Sequence, residues 1–214
     1  MQEIKKLISG YEKFHQQYFV ENPDLYNQLF QGQSPKFLII SCCDSRVHPA
    51  QIMSTEPGDI FVVRNVANLV PINEDDGKSH GTSAAMEFAI MHLQVRHVII
   101  MGHSQCGGIK ALMEGEHGSS DYGFIDPWMR NAASAREQVL KDHGDKPFDE
   151  QCMHCERAAI GVSLQNIMTF PWVKERVEAG NLFVHGWHFD IGSGSLLGKE
   201  GDSFKPVSEL SIAK

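Results

Sequence analysis

The 214-residue chain has the length of one globular domain, and its 42% hydrophobic and 21% charged residues exclude a disordered, fibrous or membrane-embedded protein. A net charge of −8 argues against a nucleic-acid partner, because few basic groups are available to neutralise phosphates. No apolar run reaches the length of a membrane span or a signal-peptide core, so we expect a cytoplasmic protein without a membrane partner. Five cysteines, an odd number, favour ligand or catalytic roles over disulfides.

A helical arm precedes the first predicted strand. Apolar side chains recur at helical spacing between Ile4 and Tyr18, and a second short helix is expected after Asn22-Pro23. We expect these two helices to form an arm over residues 1–32 of a single domain.

Three apolar runs of strand length follow the arm, at residues 36–42, 59–65 and 96–102. Continuous runs of this kind are typical of parallel strands whose two faces are both covered. Residues 181–190 form the last predicted buried strand of a core that spans residues 33–190. The sequence therefore predicts the α/β class: a mostly parallel central sheet of about four to five strands, flanked by helices.

Helices connect these strands, and an irregular tail follows them. Residues 81–93 are apolar nearly all round, which predicts a buried crossover helix. Another helix is expected from Asp126-Pro127 to Gly144. Residues 191–214 are rich in glycine and serine near their start, which predicts an irregular tail with one edge strand. In a sheet of this class, ligands bind beyond the carboxyl ends of the strands.

Two polar motifs stand at those strand ends. "SCCDSR" occupies residues 41–46, and "GHSQCGG" occupies residues 102–108. In the second motif, a turn can direct His103 and Cys106 at a common point, and the following helix N-terminus favours a thiolate. Two ligands from one loop need a third from elsewhere in the chain.

The adjacent cysteines of the first motif could form a redox pair, pack in the core or supply that third ligand. In an extended strand Cys42, Asp44 and Arg46 share one side, whereas Cys43 faces the other, and we interpret Cys43 as a packed core residue. Cys42 then completes a sulfur-and-nitrogen set with the second motif. Such a three-ligand set suits Zn²⁺ and leaves a fourth position open, as in catalytic zinc sites.

The sequence resembles the β-class carbonic anhydrases over nearly its whole length. The resemblance is carried by C-x-D-x-R at 42–46, H-x-x-C at 103–106 and "EPGDIFVVRNVANLVP" at 56–71. "HGTSAAMEFAIMHLQV" at 80–95 and "CMHCERAA" at 152–159 are similar to the plant-like branch.

The resemblance implies one zinc ion per chain, held by Cys42, His103 and Cys106, with Asp44 and Arg46 as a catalytic dyad. It implies reversible hydration of carbon dioxide to bicarbonate and a proton, by zinc-hydroxide attack with the dyad orienting the nucleophile. It also implies a homodimer joined by the helical arm, with a tetramer as a further assembly.

The resemblance further assigns substrate-binding positions. These are Gln33, Phe61, Val66, Phe88 and Gly107. The glutamine matches a residue that hydrogen-bonds substrate, and Phe61, Val66 and Phe88 match the apolar side of the cleft. Many relatives have tyrosine where this chain has Phe88, so the contribution of that hydroxyl is absent here.

One departure concerns regulation. Some bacterial members bind inhibitory bicarbonate through a tryptophan, an arginine and a tyrosine. This chain has Ile39, Arg64 and Phe189 at the matching positions, so we predict that the inhibitory site is lost.

A second pair of cysteines favours a structural role. Cys152 and Cys155 form a C-x-x-C, but no second ligand pair accompanies them, so we expect them to pack at a helix start.

Relatives of similar sequence hydrolyse carbonyl sulfide or carbon disulfide, which is the alternative activity. A non-enzymatic zinc domain is disfavoured, because structural zinc normally takes four protein ligands.

Overall fold

The computed structural model describes residues 1–115 and 123–211. The chain divides into two compact units, Met1–Ser34 and Pro35–Lys214, which are described separately. Within the described ranges, no helix combines the length and the apolar character that crossing a bilayer requires.

The N-terminal unit is the predicted helical arm. Helix α1 (Gln2–His15) continues through a wider π-helical turn (Gln16–Glu21), and helix α2 (Asp24–Leu29) follows the break at Asn22-Pro23. Aromatic rings join the two helices, with the ring of Tyr26 in contact with three others. These rings are Phe14, Tyr18 and Phe19, at centroid distances of 5.7, 5.7 and 4.5 Å.

The second unit contains the central sheet. The six strands are β1 (Phe37–Cys42), β2 (Ile60–Asn65), β3 (His97–His103), β4 (Phe183–Phe189), β5 (Leu196–Glu200) and β6 (Ser203–Pro206). They lie in the order β2-β1-β3-β4-β5-β6. The first four are parallel, whereas β5 and β6 add antiparallel pairs at one edge. The mostly parallel α/β fold expected from the sequence is confirmed.

The sheet has one strand more than the sequence indicated. The tail was expected to add one edge strand, but it forms the hairpin of β5 and β6. Gly201 lies in the turn of this hairpin with a φ of 58°, a left-handed conformation that glycine adopts without steric cost. Composition predicted an irregular segment because glycine and serine, which favour turns, are numerous beside strands of only five and four residues.

Helices cover the sheet and connect its strands. They are α3 (Pro49–Ile52), α4 (Gly81–Glu87), α5 (Gly107–Glu114), α6 (Ile125–Met129), α7 (Ala133–His143), α8 (Phe148–Ile167) and α9 (Pro171–Glu178). The helix expected from 126 to 144 is divided by a 3₁₀ turn at Arg130–Ala132. The crossover helix predicted over residues 81–93 is buried on one side only. Phe88, in the π-helical turn that follows α4, is 46% exposed.

The alternation of β1 separates the two faces of the sheet. Leu38 and Ile40 belong to the large core cluster, together with buried residues of β3 and α8. Ile39 points to the other face and packs with Ile99 and Met101. Because β1 and β3 are covered on both faces, their continuous apolar runs are explained.

Candidate metal centre

Two neighbouring strands end at the same edge of the sheet and deliver the first two polar side chains of the site. Cys42 is the last residue of β1 and His103 is the last residue of β3, and these strands pair in parallel. The loop after β3 then leads to Cys106, which is the residue immediately before α5. Parallel pairing thus brings residues about sixty positions apart to one place.

The three predicted ligands form one buried group. The candidate ligand atoms of Cys42, His103 and Cys106 all lie within 4.8 Å of one another. The two sulfur atoms are 4.0 Å apart. The residues are only 4%, 1% and 2% exposed, respectively. The structure therefore brings together the set that the two motifs predicted.

The imidazole of His103 is oriented for metal binding. Its Nδ1 lies 2.9 Å from the carbonyl oxygen of Ser104. A carbonyl only accepts a hydrogen bond, so we assign the proton to Nδ1 and the lone pair to Nε2. This Nε2 is buried and has no hydrogen-bond partner among the described residues. A lone pair left unpartnered beside two thiols fits a soft divalent cation such as zinc.

The two thiols ionise unequally because they lie so close together. The pKa of Cys42 is lowered to about 4, first because the Cys106 thiol donates to its thiolate, although burial acts in the opposite direction. The pKa of Cys106 is raised, because its proton is held by Cys42 and because burial disfavours a second charge. Backbone N–H groups of Gly108 and Ile109 at the start of α5 partly oppose this rise. A bound cation supplies the missing charge and releases the second proton.

The charge on Cys42 also affects His103. Burial lowers the pKa of this imidazole, but the adjacent Cys42 thiolate favours the protonated ring, outweighs burial and raises the pKa. The imidazole and both sulfurs are therefore electrostatically coupled in one buried group, and a bound metal ion would replace the proton that the two sulfurs share.

A buried glutamate supports the Cys106 backbone and was missed by the sequence analysis. The amide of Cys106 donates to Oε1 of Glu156 at 3.1 Å. The other oxygen, Oε2, lies 3.6 Å from Nε2 of His188, and both side chains are almost fully buried. Glu156 belongs to the "CMHCERAA" segment, and the available signal was an acidic residue among the apolar positions of α8.

Asp44 and Arg46 form the expected pair at the rim of the group. Nε and Nη2 of Arg46 donate to the two carboxylate oxygens of Asp44 at 2.9 and 2.7 Å. This bidentate bond is the main reason that the pKa of Asp44 is well below its usual range. The backbone N–H of Asp44 in turn donates to the Cys42 sulfur. The acid is therefore attached both to its cationic partner and to a predicted ligand.

The second loop holds the same arginine. Nη2 of Arg46 donates to the carbonyl oxygen of Gln105 at 3.1 Å. Gln105 has a φ of 58°, an uncommon left-handed conformation for a residue with a side chain. The residue next to Cys106 thus contacts the loop that carries Cys42, and the two motifs are tied together.

The predicted substrate residues lie in different places. Val66 packs against the cluster that contains Cys42 and Cys106, and Gly107 opens α5 beside them. Phe61 and Phe88 contact each other with ring centroids 6.0 Å apart. Gln33 belongs to the N-terminal unit. Their substrate roles stay predictions.

The interpretation of Cys43 as a core residue is wrong, since its side chain is exposed. Strand β1 ends at Cys42, so Cys43 is not part of the strand. The alternation of side chains that predicted a buried Cys43 therefore does not apply to it. Cys152 and Cys155 do pack as expected, in a buried cluster that includes the first turns of α8.

The positions that match the family's inhibitory site are mostly apolar. Ile39 is fully buried, and Phe189 packs against the cluster around Cys42 and Cys106. Arg64 donates hydrogen bonds to backbone carbonyls near the site. The loss of the inhibitory site stays a prediction.

A second group of possible ligands lies on an exposed loop. Atoms of Glu74, Asp76 and His80 come within 4.8 Å of one another. Asp76 already pairs with Lys78 at 2.9 Å and with His80 at 2.7 Å. Side chains that are exposed and already paired in this way are typical of a solvated surface turn.

Comparisons with known proteins agree with this geometry. The family model described as carbonic anhydrase matches residues 37–196. Beta carbonic anhydrase 3 of Arabidopsis thaliana is 39% identical over 195 residues, which are 90% of this chain and 75% of that protein. The structure of the β-carbonic anhydrase CcaA has a TM-score of 0.91 at 32% identity, covering 96% of this chain and 92% of that one. A structure from a study of two tetrameric β-carbonic anhydrases of Sordaria macrospora has a TM-score of 0.82 at 28% identity and covers 96% and 100%.

The sheet, the buried group of Cys42, His103 and Cys106, and these matches define the class of protein as an α/β enzyme with a metal site. The chain belongs to the carbonic anhydrase family, in its β class. The resemblance inferred from the motifs is confirmed, including the similarity to a plant member.

The adjacent cysteines give a matched test of the metal centre. We expect Cys42→Ser to lose bound zinc, because a hydroxyl is a much poorer ligand than a thiolate. Cys43→Ser should keep about one zinc ion per chain, because its exposed side chain lies outside the group. Atomic absorption after gel filtration measures both. Zinc retained by Cys42→Ser at the wild-type level would show that Cys42 is not a ligand.

Proposed function

We propose that this protein catalyses the reversible hydration of carbon dioxide to bicarbonate and a proton. The observation that carries the proposal is the buried group of Cys42, His103 and Cys106 in a chain of the β class. Zinc bound to these side chains would acidify a water molecule and thereby supply the nucleophile for carbon dioxide.

The chain's own residues would hold the metal through two thiolates and one neutral imidazole. The carbonyl of Ser104 keeps the proton of His103 on Nδ1, which leaves the lone pair of Nε2 free to bind the metal. Glu156 accepts from the backbone of Cys106 and so fixes the start of α5. Supporting hydrogen bonds of this kind orient ligands and commonly contribute 10- to 100-fold, roughly, to affinity or activity.

Asp44 is the residue that we propose to orient the nucleophile. The Arg46 guanidinium keeps its carboxylate ionised, and an ionised carboxylate accepts hydrogen bonds but donates none. An acceptor fixed in this way can hold an O–H group with its oxygen directed at carbon dioxide. Released from Arg46, the same carboxylate could instead bind the metal and close the site.

Apolar side chains would hold the substrate itself. Carbon dioxide has no net charge, so apolar side chains such as those of Phe61, Val66 and Phe88 can contact it without the loss of a hydrogen bond. We assign substrate roles to these three, to Gly107 and to Gln33 on the resemblance to the family. None of the five cysteines, all of which lie in the described part of the chain, forms a disulfide, as expected for the cytoplasmic location that we propose.

We expect the hydration rate to rise with pH. Two thiolates donate more negative charge to a metal than neutral imidazoles do, so the controlling ionisation should lie above neutrality. Stopped-flow assays of zinc-loaded protein from about pH 6.5 to 9 measure this rise. If the protein carries one zinc ion per chain but shows no rate above buffer, the proposal is wrong, and carbonyl sulfide and carbon disulfide become the substrates to assay.

Removal of the dyad cation should separate catalysis from metal binding. We expect Arg46→Ala to lower kcat by about 100-fold or more while zinc stays bound, because Asp44 loses the partner that orients it. Lys110→Ala is the matched control, since it removes an exposed positive charge that pairs only weakly with Glu114. Wild-type kcat in Arg46→Ala would refute the dyad.

We further propose that the protein is at least a homodimer. Four apolar side chains on α1 are exposed in the single chain: Ile4, Leu7, Ile8 and Tyr11, at 61%, 69%, 51% and 63%. A second copy of the chain would cover such a face, and the relatives from Sordaria macrospora are described as tetrameric. Light scattering should therefore give a mass of at least two chains. A monomer at micromolar concentration would contradict this proposal.

A further inference from the structure

Arg64 forms an unusual set of bonds to the loop that follows β1. It lies on β2 opposite Ser41, and its guanidinium is partly buried. Nε donates to the carbonyl of Cys42 at 3.0 Å, and Nη2 donates to the carbonyl of Asp44 at 2.7 Å. Nη2 also lies 3.4 Å from the carbonyl of Val47. One side chain therefore joins the beginning, middle and end of this loop.

The three carbonyls belong to residues with different tasks. Cys42 is a predicted zinc ligand and Asp44 is the acid of the proposed dyad, whereas Val47 is the buried residue at which the loop re-enters the core. Two backbone bonds also hold this loop, from Cys43 to the carbonyl of Asn65 and from Val47 to that of Asp44. Neither of them joins Cys42 to Asp44. The Arg64 fork joins their two carbonyls, in addition to the direct bond from the Asp44 amide to the Cys42 sulfur.

An arginine is suited to this task and a lysine is not. The planar guanidinium presents donors in a rigid fork, whereas an ammonium group is a compact charge on a flexible stem. Hydrogen bonds to a charged donor are stronger than neutral ones, and partial burial reduces competition from water. A lysine at this position can replace the charge but cannot contact the same carbonyls with the same geometry.

We propose that Arg64 is a positioning residue that fixes the Cys42–Val47 loop, so that the Cys42 thiolate and the Asp44 carboxylate keep their relative placement. This inference rests on the proposed function for its effect on rate, but the bonds that carry it are independent of any substrate. Arg64 acts through the backbone, because the three hydrogen bonds of its guanidinium go to carbonyl oxygens and not to the predicted ligand atoms.

The chain offers a matched control in Arg176. Its guanidinium also donates to three backbone carbonyls, those of Ile90, Val95 and Asn181. These residues belong to the segment before β3 and the turn after α9, away from the metal group. Arg176→Lys therefore breaks the same kind of fork and reports the general cost to stability.

The test compares Arg64→Lys and Arg64→Gln with Arg176→Lys in the full-length protein. Zinc content, urea unfolding, kcat and KM are measured for each. Cobalt(II) is also loaded in place of zinc, because its visible spectrum reports the ligands and geometry of the metal without any catalysis. Two substitutions at Arg64 are used, so that one which does not fold leaves the other to decide.

We expect both Arg64 variants to keep about one metal ion per chain and to lose kcat by about 10- to 100-fold, with an altered cobalt spectrum. Arg176→Lys should be destabilised to a similar extent but keep the wild-type kcat and spectrum. The inference is overturned if the Arg64 variants keep both wild-type values, or if Arg176→Lys loses kcat equally. A wild-type protein that binds zinc without hydrating carbon dioxide refutes the proposed function, while the cobalt spectra still decide the role of Arg64.

Discussion

The site depends on the close approach of two buried thiols at the carboxyl edge of the sheet. With sulfurs 4.0 Å apart, the first negative charge at Cys42 makes a second at Cys106 unfavourable. The unpartnered Nε2 of His103 adds an electron pair but no proton. A soft cation satisfies all three ligand atoms at once, whereas the single hydrogen bond between the two sulfurs leaves Nε2 of His103 without a partner among the described residues.

The loop after β1 connects metal binding to the chemistry proposed for the protein. It supplies Cys42 and, two residues later, Asp44. Arg46, from the same loop, binds the carboxylate of Asp44, and Arg64 binds its backbone carbonyl. Arg46 in turn contacts the carbonyl of Gln105 in the second ligand loop. The acid, the thiolate and both loops are therefore mechanically linked, and displacement of one of them changes the others.

The sequence was least informative where regular structure ends. Cys43 was assigned to the core because strand alternation was continued past Cys42, but backbone turns have no period of two. The helix expected from Asp126 to Gly144 is divided at Arg130–Ala132, since local capping signals do not reveal an interior 3₁₀ turn. Glu156 was overlooked because its partner, the Cys106 amide, lies 50 residues away in the chain.

The sequence by itself determined the α/β class, the family and the identity of the three candidate ligands, because strand-length apolar runs and short motifs are local signals. Only the tertiary structure decided which carbonyls Arg64 contacts, that Glu156 supports Cys106, and that Cys43 lies outside the buried group. These features depend on distances between segments that are remote in the chain. Such distances follow from sheet order and packing, which no local pattern specifies.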